Sequence, residues 1–515
     1  MGLNDILMEV YACLPEIPFS SDAPLSASTS DDGGVEDRIS ALPDDVLRNV
    51  VSRLPVKDAA RTAALSPRWR GLWRSTPLVL EDRHFLIQTP PVDWKALPAA
   101  VSRVLASHPG PFRWVSLSRS FMDDQEEVLA TWLRLFADKG VETLVLVNRP
   151  WPLDVPLPAS ILRCASLRRL YLGVWHFPDT SGPTVPPRGP DVFPHLQELG
   201  ICHSIMQERD LEYMLACSPE LKTFALILSY ACPRRVRITS SSLCCALLWW
   251  TMVDEIDVVA APQLQRLILF WPQRGLTTRV KIGHASKLTV LGYLDTSDHV
   301  LQIGNTVIKA GVANVIPNAV VPSVKVLALY VDFKVAEEVK TLLSFLRCFP
   351  QVETLHVMSR NGNFDDSEDE NEEEEQEDEN EEEEQEDENE EEEQDYKDTG
   401  GELSSTFWQE VGPIECVESQ VKKLVLDQFS LGANELEFLK LCKRRARAMR
   451  SVLLVFSAAM SAEPEALLGP ENMSKLLMLA NTECASGSCE FIPVPPRSWS
   501  YSRASDLSLR DPFPG

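Results

Sequence analysis

Residues 167–172 read Leu167-Arg168-Arg169-Leu170-Tyr171-Leu172, an apolar residue, two others, then apolar residues alternating with one more. Alternation of this kind turns every second side chain of a short strand to one face. The figure recurs as Val141-Glu142-Thr143-Leu144-Val145-Leu146, Leu196-Gln197-Glu198-Leu199-Gly200-Ile201 and Leu221-Lys222-Thr223-Phe224-Ala225-Leu226. Its central positions 144, 170, 199 and 224 lie 26, 29 and 25 residues apart, intervals that suit a structural repeat of roughly 20–29 residues. Further copies centre on Leu267, Leu327, Leu355 and Leu424.

Helical stripes fall between the strands. Asp123 to Ala137 sets Val128, Leu129, Trp132, Leu135 and Phe136 on one side, and Val335 to Phe349 does so with Val335, Val339, Leu342, Leu343 and Leu346. A break precedes the next strand, as at Ala216-Cys217-Ser218-Pro219-Glu220-Leu221. One strand, turn and helix cannot close a core, but stacked copies bury a continuous one. The expectation is a mixed α/β solenoid of strand–turn–helix repeats over residues 111–360. The rhythm blurs from Cys232 to Val321, where repeats cannot be counted.

Upstream, Leu42 to Trp73 reads as three short helices. Pro43 suits a first helical turn, Asp44 and Asp45 sit at the positive end of its dipole, and Val46, Leu47, Val50, Val51 and Leu54 follow at helical spacing. Leu54-Pro55 ends that helix. Lys57 to Leu65 forms a second, and Ser66-Pro67 opens a third, where Trp69, Leu72 and Trp73 alternate with Arg68, Arg70 and Arg74. So small and apolar a unit needs either a neighbour in its own chain or a partner protein.

Leu42-Pro43-Asp44-Asp45-Val46-Leu47, then Leu54-Pro55-Val56-Lys57-Asp58, Leu65-Ser66, Arg68-Trp69 and Leu72-Trp73 resemble an F-box, with the landmarks in order over the whole module. The resemblance implies docking on a Skp-type adaptor, and through it on a cullin, with Leu42, Pro43, Leu47, Val50, Leu54, Val56, Leu65, Ser66 and Trp69 as the docking set. Leu72 and Trp73 fit internal packing or a seam with the next domain equally well. The strand figure resembles the irregular leucine-rich repeats of plant F-box proteins. Val421-Lys422-Lys423-Leu424-Val425-Leu426, the helix from Asn434 to Leu439 and the strand Val452 to Phe456 resemble the FBD module that ends many of them. Ala504 to Ser508 and Asp511-Pro512-Phe513 look like their tails. The implied order is a disordered leader (1–35), F-box (36–76), a joint with one or two short strands (77–110), the repeat array (111–360), an acidic insertion (361–400), the FBD module (401–480) and a tail (481–515).

The net charge of −27 is local, because residues 365–395 hold 24 Asp and Glu and no Lys or Arg, leaving −3 for the rest. Within that run EDENEEEEQ stands three times, over 368–376, 377–385 and 386–394. Its self-repulsion and lack of apolar residues predict disorder. Its cost as a surface loop grows only slowly with length. A basic partner is the functional alternative.

The twelve cysteines are scattered without C-x-x-C spacing, which points to buried free thiols in a reducing compartment. The longest apolar run, Leu243 to Val253, is too short for a bilayer. With no cationic start either, the expectation is an intracellular protein of the nucleus, the cytoplasm or both. Lys443, Arg444, Arg445, Arg447 and Arg450 form one basic cluster, read as the solvated cationic end of a helix rather than a nucleic-acid patch. No P-loop, G-x-G-x-x-G, H-E-x-x-H or G-x-S-x-G occurs. The F-box resemblance implies a non-catalytic function free of cofactor or metal, namely a substrate receptor of a Skp–cullin–F-box ubiquitin ligase whose repeats hold an unnamed protein target. The alternative is a repeat scaffold with no ligase role.

Overall fold

The computed structural model describes residues 8, 10–15, 38–85, 96–122, 125–148, 155–229, 233–270, 275–310, 320–360, 403–456, 469–487, 489–494 and 500–513. The acidic run and most of the expected leader lie outside them. The chain divides into two compact units. One holds Ile6–Gly292 with Trp499–Pro512, and the other Met1–Asp5, Tyr293–Ser498 and Phe513–Gly515.

In the first unit the three short helices are α1 (Asp44–Val51), α2 (Val56–Thr62) and α3 (Pro67–Ser75), followed by β1 (Leu78–Glu81), α4 (Leu97–Ser107) and β2 (Phe112–Leu117). Residues 77–110, expected as a joint with one or two short strands, hold one strand among the described residues, followed by a 3-10 turn at Asp82–Phe85. β1 pairs in parallel with β2, so the stretch builds the first coil of the solenoid. Pro98 stands in the first turn of α4, where no backbone N–H is needed.

The succession continues with α5 (Glu126–Asp138), β3 (Thr143–Val147), β4 (Arg169–Gly173), β5 (Glu198–Cys202), α6 (Glu208–Ala216) and β6 (Thr223–Ser229). All strands from β1 to β6 pair in parallel, with Leu144, Leu170, Leu199 and Phe224 in register. This is the expected solenoid. Coil is tied to coil just before each strand, where Glu142 O accepts from Arg168 and Arg169, Arg168 O from Gln197 and Glu198, and Gln197 O from Lys222 and Thr223. Each carbonyl that would otherwise lie bare at a strand's beginning is so paired.

Residues 232–321 blurred for a structural reason. Here the return elements are strands. β7 (Arg235–Thr239), β8 (Cys245–Thr251), β9 (Glu255–Ala260), β10 (Arg266–Phe270), β11 (Thr278–His284) and β12 (Val290–Asp295) alternate between two sheets. β6, β8, β10 and the first half of β12 extend the repeat sheet, while β7, β9 and β11 pair in a second one. Across the second sheet Arg235, Glu255 and Arg279 stand in one row and Arg237, Asp257 and Lys281 in the next. Opposite charges opposite one another suit an outward face. A Cβ on Gly283 would lie 2.6 Å from Val258 O, which reserves that close approach for glycine.

Val174, His203, Leu228 and Trp250 all have φ between 43° and 62°. Each stands five residues after the first residue of its strand. A left-handed non-glycine residue costs about 1–2 kcal/mol. Its return at one position after four strands ties the bend to the closing of those coils.

In the second unit a hairpin of β13 (His299–Ile303) and β14 (Thr306–Ile308) precedes β15 (Val326–Val331), α7 (Ala336–Cys348) and β16 (Thr354–Ser359). Then come α8 (Ser405–Glu410), α9 (Glu415–Ser419), β17 (Lys423–Phe429), α10 (Ala433–Arg445), β18 (Ser451–Phe456), α11 (Pro470–Asn481) and β19 (Glu490–Pro493). β15 to β19 pair in parallel in sequence order. Leu355 meets Leu424 in register, so the acidic run interrupts the chain between two neighbouring strands without breaking the stack. Glu353 accepts from Lys325 at 3.1 Å and Lys422 at 2.6 Å, and the two ammonium groups hold its carboxyl below the usual range.

Candidate functional site

The three-helix unit is held from inside. Leu47, Val51, Val56, Ala59, Trp69 and Leu72 are buried. Ser66 caps α3 by accepting from Trp69 N, and Trp69 Nε1 donates to Ser40 Oγ at 3.2 Å. The Arg68 guanidinium donates to Asp44 Oδ1 at 2.7–2.9 Å, to Leu42 O at 2.7 Å and to Ser40 O, pinning the start of α1 to α3. Trp73 lies at the seam with the repeats. Its carbonyl accepts from His108 Nε2 at 2.9 Å, and the two rings meet edge to face. Gly110 N donates to His108 Nδ1, so the proton sits on Nε2, and burial holds the imidazole below its ordinary pKa.

Other side chains of the unit face outward. Ile39 is 59% exposed, Leu42 38%, Val46 44%, Val50 42% and Leu65 67%. Five aliphatic side chains open to water on about thirty residues exceed the scatter of single exposed hydrophobes. Pro43 is exposed as well, and Leu54 and Ser66 are half-buried. Of the nine residues taken as the docking set, Leu42, Pro43, Val50 and Leu65 thus lie on the surface, whereas Leu47, Val56 and Trp69 form the packing beneath. Ile39 and Val46 join the exposed set. Val46 was visible in the α1 stripe, but which side of so short a stripe faces inward depends on how α3 packs.

The repeat strands carry a second feature. Leu170 and Leu172 share one face with Leu199 and Ile201, while Tyr171 shares the other with Val145, Gly200, Ala225, Leu247 and Ile268. This second row is buried too. The chain's own ends contribute to the cover. Val10 Cγ1 would lie 3.4 Å from a Cβ on Gly173, and Tyr11 Oη donates to Ser118 O at 2.8 Å. The short helix α12 (Tyr501–Ser505) brings Tyr501 edge to face with Tyr171.

Among the described residues, no three His, Cys, Asp or Glu side chains group as metal ligands. The described cysteines are free, and burial pushes the thiols of Cys164, Cys202, Cys245, Cys348 and Cys416 up to about 12, well away from reactive thiolate. Within the basic cluster Lys443, expected at a solvated end, is buried and donates to Leu479 O at 2.6 Å, because α11 closes over it. Arg445 donates to Val411 O and Gly412 O. Arg444, Arg447 and Arg450 are exposed.

Comparison with known proteins finds a family match over each of these two parts of the chain. The F-box domain family matches residues 39–80, and the family "FBD-associated F-box protein At5g56370, LRR repeats" matches residues 129–357. Both matches are to the plant F-box/leucine-rich-repeat group, which the chain resembles over those two stretches. Similar proteins of Arabidopsis thaliana include F-box/FBD/LRR-repeat protein At1g13570, 27% identical over 202 residues, covering 38% of this chain and 45% of that one. F-box/LRR-repeat protein At3g26922 is 30% identical over 149 residues, 29% of this chain and 47% of the relative. The putative FBD-associated F-box protein At5g22720 is 26% identical over 271 residues, 50% and 55% respectively. The chain spans under half the length of the first two relatives. No helix among the described residues is long and apolar enough to cross a membrane.

Proposed function

We propose that this F-box protein is a substrate-receptor subunit of a Skp–cullin–F-box ubiquitin ligase. The three-helix unit docks a Skp-type adaptor through Leu42, Pro43, Val50 and Leu65, with Ile39 and Val46 beside them. Leu47, Val56 and Trp69 act by holding that surface in shape, and Leu54 and Ser66 lie at its margin. The reading rests on one observation, the exposed aliphatic ridge on a unit whose own core is already closed. The repeats hold the protein target. Catalysis then comes from proximity, since a bound target lysine meets the conjugating enzyme at raised effective concentration. A pull-down with a Skp-type adaptor tests this. The full chain binds, and the Leu42→Ala/Pro43→Ala variant loses binding while keeping its thermal melt. Full binding by that variant sinks the docking assignment.

A further inference from the structure

In a solenoid that holds other proteins, the strand face opposite the return helices is the open one. Here it is occupied. Residues 500–512 belong to the same compact unit as β4, β8 and β10 and lie on the row that carries Tyr171. Tyr501 is buried with its Oη 3.3 Å from that of Tyr171, and Tyr171 Oη donates to Glu198 Oε2 at 2.9 Å. Arg266, the first residue of β10, is 3% exposed, with Cys245 beside it in register. Its guanidinium donates to Ala504 O at 2.8 Å and to Leu509 O. A buried guanidinium demands such partners. The face has therefore been built to receive main-chain carbonyls at this point, and the chain's own end supplies them.

The segment is tied to the sheet by no backbone-to-backbone bond among the described residues. Its backbone bonds among the described residues are internal, from Ala504 N to Ser500 O, Asp506 N to Ser502 O and Leu509 N to Asp506 O. Arg503 folds back on Asp511 O and Pro512 O. None joins the sheet ladder. Between the buried Tyr501, Ala504 and Pro512, residues Ser502, Asp506, Ser508 and Arg510 are exposed. A five-residue helix has no stability of its own. The sheet can therefore lose this segment without losing a strand.

We infer that the strand face over β4–β10 is a peptide-binding site, and that residues 500–512 are its resident ligand and keep it closed. The partner it fits is a segment of another protein with like chemistry. It presents an unmodified tyrosine to Tyr171 and Glu198, and then free main-chain carbonyls, flanked by carboxylates as Asp506 and Asp511 flank them here, to Arg266. Phosphate on that tyrosine would meet the Glu198 carboxylate and be rejected. The inference rests on the proposal that the repeats hold a target, and adds which face does so and what must leave first.

The test uses the full chain with a specific protease site introduced between Ser498 and Trp499. After cleavage the freed segment leaves on dilution, and a fluorescent peptide of residues 499–513 binds saturably by anisotropy. Uncut protein binds it at least tenfold more weakly. Replacing Tyr501 in the peptide by alanine, or by phosphotyrosine, weakens binding at least tenfold with no change to the protein. Arg266→Gln does the same from the other side. Three results overturn the inference: a cut segment that stays until the protein melts, equal binding by cut and uncut protein, or indifference to the tyrosine. Adaptor pull-down by the cut protein runs in parallel, and its loss strikes the F-box assignment instead.

Discussion

Leu65→Asp separates docking from folding. Leu65 stands at the end of the turn after α2, 67% exposed, and its few contacts within the chain make the change worth under about 0.5 kcal/mol of stability. The exposed fractions of Ile39, Leu42, Val46, Val50 and Leu65 amount to about 2.5 whole side chains. Complete burial of one is worth roughly 1.5–3 kcal/mol, so covering the ridge contributes about 4–7 kcal/mol. Leu65 supplies about 1–2 kcal/mol of it, and a carboxylate forced into the same contact adds a desolvation cost of about 1 kcal/mol or more. The adaptor's Kd should therefore rise about 30- to 150-fold. Titration of a purified Skp-type adaptor by calorimetry reads this, with circular dichroism melts of both proteins as the control. A Kd within twofold of the unsubstituted chain, at equal Tm, refutes the ridge as the docking surface. Loss of Tm alongside binding would mean that Leu65 belongs to the core.

Two further outcomes follow from single contacts. Gly200→Ala would place a Cβ 2.5–2.8 Å from the Tyr171 ring, so it should destabilise the first unit by about 1–3 kcal/mol in urea unfolding and disturb the Tyr501 contact. Glu338 is buried, accepts from Thr296 Oγ1 and Asp332 N, and is raised by that burial to about 7. The folded state then holds this proton more tightly than the unfolded chain. The group's contribution is full below the ordinary Glu range and is lost as pH climbs to about 7. Glu338→Gln should flatten stability across pH 4.5–7, measured by denaturant melts at stepped pH, and an unchanged slope counts against the assignment.

The strand figure could be read without a structure because it is local. Val141 to Leu146, Leu167 to Leu172 and Leu196 to Ile201 carry the pleat's period in six residues each, and all become strands in register. Helices α5 and α7 were legible for the same reason, through a stripe at 3.6-residue spacing. The coil of residues 77–110 was not, because Pro98 means a break or a first turn depending on what precedes it. Between 232 and 321 the period-2 pattern of Arg235-Val236-Arg237-Ile238 was present, but nothing local says that a strand rather than a helix makes the return.

The sequence by itself therefore determined the kind of protein, a three-helix F-box joined to stacked strand repeats, because both are written in short-range order. Tertiary structure decided what each surface residue is for. Val46 and Leu47 are neighbours on one helix, and only the packing of α3 against α1 exposes the first and buries the second. Arg266 reads as one more charge at a strand's beginning, and only the return of residues 500–512, more than 230 positions along the chain, makes it a buried receptor for carbonyl groups. Such assignments depend on which distant segments meet, and no window of sequence contains both partners.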